Sequence, residues 1–313
     1  MKLRNAIGLI VLLALLSGCG NSGNRVMVVS DVDSGFGNSV VWNSQAGRLY
    51  WVDVTGKILN LYNPVLDMHR ELYLGQLVFS VAPIDTGELL VLLENGFYRL
   101  DPVTGTKQLL IHFPEDQGKI HQAVGAIDPG GRFWVSITFM NENSVTKLFR
   151  VEDAELSVIL DSGIGVSGGM SWSADNTLLY YLNSEGNSLI SYAYDVQSGN
   201  ILLPGKSVEL ASPQGMPTGM VSDNDGNLWI GHWGTSHLSS YNPLTGEIRN
   251  TILLPVNFVT SLTFGDSDLG TLYITTAKNS LDGEPLSNIG LEGRLLRLRP
   301  EVGGAAVTPI SNL

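Results

Sequence analysis

Short apolar segments recur along the chain, and each one follows a residue that is typical of tight turns. The segments are rich in aromatic, leucine and β-branched side chains, as at residues 48–53 and 228–232. The turn residues that precede them are Gly47, Gly87, Gly131, Asn176, Gly226 and Gly270. A separation of 40 to 50 residues between strand-like segments is typical of the blades of a β-propeller. The pattern therefore predicts six blades.

Further apolar segments accompany each of these strands in a constant order. The preceding segment alternates small and apolar residues, as at 39–42 and 219–222, which suits an innermost strand where blades converge. The following segment often ends in an Asp-Pro or Asn-Pro turn. A fourth, outermost strand is less regular, as at 107–111 and 248–252. We expect an all-β fold, a six-bladed β-propeller of residues 26–313 with about four antiparallel strands per blade.

The first residues form a targeting segment rather than part of the propeller. Lys2 and Arg4 precede an apolar run at residues 6–16, which is far shorter than the roughly 20 residues of a spanning helix. Residues 16–19, Leu-Ser-Gly-Cys, resemble a bacterial lipoprotein signal, so we expect lipidation of Cys19 after removal of residues 1–18. Residues 19–25 then form a lipidated tether. The alternative is an ordinary secretory signal with a chance cysteine.

This interpretation places the protein in the bacterial cell envelope, held by a lipid anchor. Residue 20 is Gly and not the Asp that retains such lipoproteins in the inner membrane. In a Gram-negative source we therefore expect an outer-membrane anchor and a propeller that faces the periplasm.

Charge and cysteine content exclude several classes of function. The net charge of −12 becomes −14 when Lys2 and Arg4 are removed with the leader, which argues against nucleic acid as a partner. Cys19 is the only cysteine, so neither an intrachain disulfide nor thiol catalysis is available. The five histidines are dispersed along the chain.

The candidate site lies where the inner strands begin, because the blades converge there around the channel. The residues at these positions are polar and almost uncharged: Asn38, Ser80, His121, Gln122, Ser167, Thr218 and Ser261. Three further residues extend this set. Glu142 is either a carboxylate near the mouth or a solvated loop residue. His232 either pairs with His121 as acid and base or caps a strand, and Trp233 is the aromatic candidate for a ligand wall.

Two adjoining segments carry a family resemblance. The fifth predicted blade resembles that of the senescence-marker-protein/gluconolactonase family, the regucalcin-like propellers. The resemblance lies in residues 216–220, Met-Pro-Thr-Gly-Met, and in residues 223–234, which include Asp-Gly-Asn-Leu-Trp. Other segments also resemble the family and occur in the same order as in its members, at residues 41–53, 128–132, 169–173 and 260–265. The resemblance covers the mature chain and implies the propeller fold and lactone hydrolysis.

The resemblance also implies a site that this chain does not retain. Family members hold one divalent cation with a Glu, an Asn and an Asp, and the Asp is thought to activate water. These positions fall at Asn38, Gly168 and Thr218, while the substrate-gripping Arg and Asn fall at His121 and Ala123. A divalent cation prefers charged oxygen ligands, and a Thr hydroxyl is no general base at neutral pH. We therefore expect no cofactor. Calcium or zinc would require a rebuilt site, in which Asn38 is the one weak candidate ligand.

Three hypotheses of function follow from these observations. The first is a propeller lipoprotein that handles a small polar molecule, such as a sugar acid or a lactone, without the metal-dependent hydrolysis of the family. The second is an active sugar-lactone hydrolase with a rebuilt site. The third is an envelope scaffold for a protein partner that the sequence does not identify.

Overall fold

The computed structural model describes residues 25–29, 32–113, 117–140, 144–211, 215–286, 290–311 and 313. The leader, Cys19, most of the tether and Glu142 lie outside the described residues. Within the described part of the chain, no helix is long and apolar enough to cross a membrane.

The described residues form six four-stranded antiparallel sheets, which confirms the predicted six-bladed β-propeller. In blades one to five the strands follow chain order from the axis outward, and blade six has the order β22-β23-β24-β1. The strands are β1 (Met27–Val28), β2 (Gly37–Asn43), β3 (Arg48–Asp53), β4 (Ile58–Asn63), β5 (Met68–Tyr73), β6 (Val78–Pro83), β7 (Leu89–Leu93), β8 (Gly96–Leu100), β9 (Lys107–His112), β10 (Lys119–Ile127), β11 (Phe133–Met140), β12 (Val145–Glu152), β13 (Glu155–Leu160), β14 (Ser167–Trp172), β15 (Leu178–Asn183), β16 (Ser188–Asp195), β17 (Asn200–Glu209), β18 (Met216–Ser222), β19 (Leu228–Trp233), β20 (His237–Tyr241), β21 (Ile248–Leu253), β22 (Val259–Gly265), β23 (Thr271–Thr276) and β24 (Leu296–Leu298).

The burial of each strand follows from its place in the blade. All five residues of β7 are buried, because the second strand of a blade is covered on both faces by its neighbours. The outermost strand β5 is largely exposed. This difference explains why the second strands carry the continuous apolar signal and the outermost strands the weakest.

The N-terminal strand closes the ring, an arrangement that the order of the repeats does not reveal. β1 pairs antiparallel with β24, with Met27 opposite Arg297 and Val28 opposite Leu296. Phe36 also forms an isolated bridge with Ala277, next to β23. The last blade therefore contains the first strand of the chain, and the two ends of the sequence hold each other in place.

The C-terminal segment, residues 301–313, closes one end of the central channel. Gly304 bridges to Asp223 in blade five and Ile310 bridges to Ile84 in blade two, while Val307 lines the space at the ends of the inner strands. We call this end the basal face, and the end where the inner strands begin the cavity face. Among the described residues, this segment lies across the basal end, so we take the cavity face as the candidate entrance for a ligand.

Candidate functional site

A cavity of about 220 Å³ lies on the axis at the cavity face. It is formed by the first halves of the inner strands and by two segments that reach over them. The lining residues are Phe36, Asn38, His121, Gln122, Val124, Val166, Gly168, Ser184, Met216, Thr218, Trp233, Thr260, Leu281 and Asp282. Asn38, His121, Gln122, Thr218 and Trp233 are predicted site residues that the fold brings together here.

An irregularity in every inner strand shapes this end of the channel. The pairing register shifts between Asn38 and Val41 in β2, and between Ile120 and Gln122 in β10. The other four inner strands show the same shift near their starts. A bulge breaks the alternation of side chains along a strand. This break allows His121 and the adjacent Gln122 to line the same cavity.

The polar groups of the lining are largely bound to the propeller itself. Thr218 is buried, and its Oγ1 donates a hydrogen bond of 2.8 Å to the carbonyl oxygen of Val259. Gln122 Nε2 donates to the carbonyl oxygen of Ser167 at 3.1 Å. Asn38 Nδ2 lies 3.4 Å from the carbonyl oxygen of Ala123. Each of these contacts joins two neighbouring or facing blades, so the floor of the cavity is fixed before any ligand enters.

Aromatic and aliphatic side chains form one wall. Trp233 packs against Phe36 with ring centroids 5.8 Å apart and against Phe258 at 4.8 Å. Met216 and Leu281 complete this side of the lining. A planar, partly apolar ligand can therefore stack on the wall while its polar edge faces the amides of the floor.

A carboxylate at the mouth comes from a segment that the repeats do not predict. Asp282 belongs to residues 277–295, the connection between β23 and β24, and is exposed at the rim of the cavity. Glu142, a candidate either for this carboxylate or for a solvated loop residue, lies outside the described residues, and Asp282 was not predicted. The length of this connection was the available signal, because long loops on a propeller commonly serve its site.

His232 does not lie in the cavity. Its side chain is completely buried in blade five, where Nε2 is 3.0 Å from the Tyr241 hydroxyl. Burial, with a smaller contribution from His237, lowers the pKa of His232 to about 4. The acid and base pair of His121 and His232, one of the two alternatives, is therefore not formed, because His121 lines the cavity while His232 is buried inside blade five against Tyr241.

The remaining predicted residues support the channel wall. Ser80 is buried, and its Oγ is 3.0 Å from Ser39 Oγ of the preceding blade. Ser261 Oγ accepts the Val40 N–H at 2.8 Å, which ties blade six to blade one. Ser167 is buried and holds Gln122 through its carbonyl oxygen. These serines position the lining without belonging to it.

The residues that the resemblance assigns to the family's cation positions do not fit a divalent cation. A Cβ on Gly168 would lie 2.4 Å from Ser184 Oγ and 2.7 Å from the carbonyl oxygen of Pro217, so this position has no room for a ligating side chain. The Thr218 hydroxyl is already bound to Val259. Asn38 alone offers a neutral amide oxygen, which poorly offsets the dehydration of a divalent cation. Among the described residues, no group of three His, Cys, Asp or Glu side chains could hold a metal ion.

Sequence comparison agrees with this architecture. Residues 36–278 match the SMP-30/Gluconolactonase/LRE-like region. The chain belongs to this family. It is 30% identical over 292 residues to YvrE of Bacillus subtilis (strain 168), a sugar lactone lactonase by name, covering 90% of this chain and 97% of the relative. It is 27% identical to the pentonolactonase XacC of Haloferax volcanii, covering 82% of this chain and 86% of the relative.

Solved structures of the family share the fold. A luciferin-regenerating enzyme superimposes with a TM-score of 0.83 at 22% identity, covering 92% of this chain and all of the other. A calcium-binding regucalcin from Agrobacterium tumefaciens superimposes with a TM-score of 0.81 at 18% identity, covering 92% and 97%. At these identities the likeness establishes the propeller and not the chemistry of its site.

Proposed function

We propose that this family member binds a small neutral ring of the sugar-lactone class at the cavity face, without the divalent cation that the family resemblance implies. The observation that carries the proposal is the close approach of Ser184 and Pro217 to Gly168, which leaves one of the three cation positions without space for a ligand. In this proposal the amides and hydroxyls of the cavity floor form hydrogen bonds to the carbonyl and hydroxyl groups of the ring. These hydrogen bonds take the place of coordination by a cation.

The charges around the cavity favour a neutral lactone over an open-chain sugar acid. Asp282 is the one carboxylate among the described lining residues, and those residues include no Lys or Arg. An anionic ligand would meet a like charge at the rim and find no basic partner inside. The Trp233 and Phe36 wall supports the same choice, because a ring offers a flatter apolar face than an extended chain.

The names of the relatives supply independent support for this ligand class. YvrE is named for sugar lactones and XacC for pentonolactones. Because these relatives match 90% and 82% of this chain, a ligand of related chemical class is the choice that their names favour.

Thermal unfolding of the full chain in detergent tests the proposal. The ligand is a slowly hydrolysing five-membered sugar lactone, compared with its open-chain acid, each in EDTA and in Ca²⁺ or Zn²⁺. At about one hundred times its dissociation constant, the lactone is expected to stabilise the chain by about 2.7 kcal/mol in EDTA. The open-chain acid is expected to stabilise it less. Trp233→Ala should abolish the shift, and Val65→Ala on the basal face should leave it unchanged. Stabilisation that requires a cation would refute the proposal.

A cation-independent hydrolase is the second candidate, because His121 and Asp282 line the same cavity. An imidazole can accept a proton from the water that attacks the lactone carbonyl, after which the ring C–O bond breaks to give the hydroxy acid. Acid release that persists in EDTA and is lost in His121→Gln would support this activity. Binding without acid release above the uncatalysed rate would exclude it and leave the binding protein.

We also propose that the mature chain is held in the bacterial cell envelope by a lipid on Cys19, with the outer membrane as the expected location. The support is the order of a positive start, an apolar run and Leu-Ser-Gly-Cys at residues 16–19. Mass spectrometry of the N-terminal peptide tests this directly. A lipid-modified Cys19 as the first residue is expected, and an unmodified cysteine or cleavage elsewhere would refute the anchor.

A further inference from the structure

The direction of the strands places the start of the propeller at its basal face. Inner strands run from the cavity face to the basal face, and third strands such as β24 run in the same direction because neighbouring strands are antiparallel. β1 pairs antiparallel with β24 and therefore begins at the basal face. The residues before β1 leave the propeller from this face, opposite the cavity mouth.

The length of this leading segment limits the distance between the basal face and a bilayer. Arg25, the first described residue, lies six positions after Cys19. Even a fully extended chain covers only roughly 20 Å over that length. A lipid on Cys19 would thus keep the basal face close to the membrane surface.

Apolar side chains protrude from the basal face at the tips of three blades. The turns between third and fourth strands lie at this face. They expose Val65 and Leu66 in blade one (89% and 62%), Val103 in blade two (69%) and Leu244 in blade five (69%). Blades one and five flank blade six, from which the leading segment emerges. Isolated exposed apolar residues are common, but these four share one face and surround the point of attachment.

The C-terminal segment adds an uncharged surface between these tips. From Val302 to Leu313 it has no ionisable side chain. Ala305 and Ala306 are exposed, and Ala306 shares a groove with Val65. The segment itself therefore adds no charged side chain to the basal face, and the exposed Asp85 and Asp225 lie in the turns beside it.

The charged groups near β1 can bind zwitterionic headgroups, which carry both a phosphate and a positive group. Arg25, Arg297 and Arg299 line one groove of about 340 Å³ beside β1. Arg299 is 2.5 Å from Asp268 and 3.9 Å from Asp266, so both signs of charge are present. A zwitterionic headgroup satisfies both signs, whereas an anionic surface would be repelled by the carboxylates and by the net charge of −14 that remains after Lys2 and Arg4 are removed with the leader.

We propose that the basal face is a membrane-docking surface for a zwitterionic phospholipid bilayer. Val65, Leu66, Val103 and Leu244 enter the headgroup boundary, and the cavity mouth points away from the membrane. This inference rests on the proposed anchor at Cys19. The orientation keeps the cavity open to ligands in the aqueous compartment.

Site-directed fluorescence on the full lipidated chain tests the orientation. A lipidated Cys19 has no free thiol, so Leu66→Cys introduces a single labelling site on the basal face. Glu185→Cys is the matched control, because Glu185 is an exposed turn residue beside Ser184 at the cavity face. Each variant is labelled with an environment-sensitive dye and reconstituted into phosphatidylcholine and phosphatidylethanolamine vesicles that contain a nitroxide-labelled lipid.

The expected result is a blue shift and several-fold stronger quenching of the label at Leu66→Cys than at Glu185→Cys. Equal quenching at both sites, in protein whose Cys19 is shown to be lipidated by mass spectrometry, would overturn the docking surface and leave the anchor intact. An unmodified Cys19 would overturn the anchor and the inference that rests on it. Shielding of the basal label in cells but not in vesicles would indicate a protein partner and also overturn the inference.

Discussion

The buried His232 predicts how the stability of the propeller depends on pH. Its side chain is fully buried, and Nε2 lies 3.0 Å from the Tyr241 hydroxyl. Its Nδ1 has no hydrogen-bond partner among the described residues. Protonation would therefore place a charge in blade five with one of its two N–H groups unsatisfied. For this reason burial holds the pKa of His232 near 4, against an ordinary value of 6.5.

The direction and size of the effect follow from proton linkage. Unfolding restores the ordinary pKa, so between pH 6.5 and about pH 4 the unfolded state binds more protons than the folded state. The free energy of unfolding consequently falls as the pH is lowered through this window. A shift from 6.5 to about 4 predicts a loss of about 2 kcal/mol between pH 7 and about pH 4.5. Below the folded pKa this contribution is fully lost.

Urea unfolding at about pH 7, 5.5 and 4.5 measures the effect in the original chain, in His232→Gln and in His112→Gln. Gln does not titrate but can still bind the Tyr241 hydroxyl. His232→Gln should reduce the pH dependence by about 2 kcal/mol. The same substitution at the exposed His112 is the control and should retain the original dependence. An unchanged pH dependence in His232→Gln would show that burial does not hold this imidazole neutral.

Two further substitutions test packing near the blades' contacts. Asp128→Ala removes a buried acceptor that joins blades three and four through the Tyr194 hydroxyl at 2.7 Å. The free energy of unfolding in urea should therefore fall by about 3–5 kcal/mol. A fall of less than about 1 kcal/mol would contradict the importance of this hydrogen-bond network. Gly168→Ala places a Cβ 2.7 Å from the Pro217 carbonyl oxygen and should cost about 1–3 kcal/mol. Gly290→Ala, where a Cβ meets nothing within 4 Å, is its control, and equal effects would refute the steric argument.

The strand repeat could be read from the sequence because each blade buries its second strand on both faces. The same pattern placed Asn38, His121, Gln122 and Thr218 near the axis, since they precede the inner strands. The position of these residues depends mainly on their spacing from the inner strand in the sequence. A bulge changes which side chains face the channel, but it does not move the strand. The structure also places Trp233, the last residue of β19, in the lining of the cavity.

The overlooked features involve residues that are distant in sequence. Asp282 reaches the mouth through a long connection whose path is set by contacts with other blades. His232 is buried because the third strand of its own blade brings Tyr241 against it. Hydrophobic periodicity reports which face of a strand is buried, but it contains no information on which groups of the neighbouring segments lie opposite.

The sequence by itself determined the number of blades and the position of the inner strands, and it predicted uncharged residues where the resemblance places the family's cation ligands. These properties follow from short-range periodicity and from residue identity at known places in a repeat. Only the tertiary structure decided that β1 completes blade six, that residues 301–313 close the basal end, and that Gly168 has no room for a side chain. These depend on through-space contacts between segments far apart in the chain, because a closed ring must bring its two ends together and pack every blade against two neighbours.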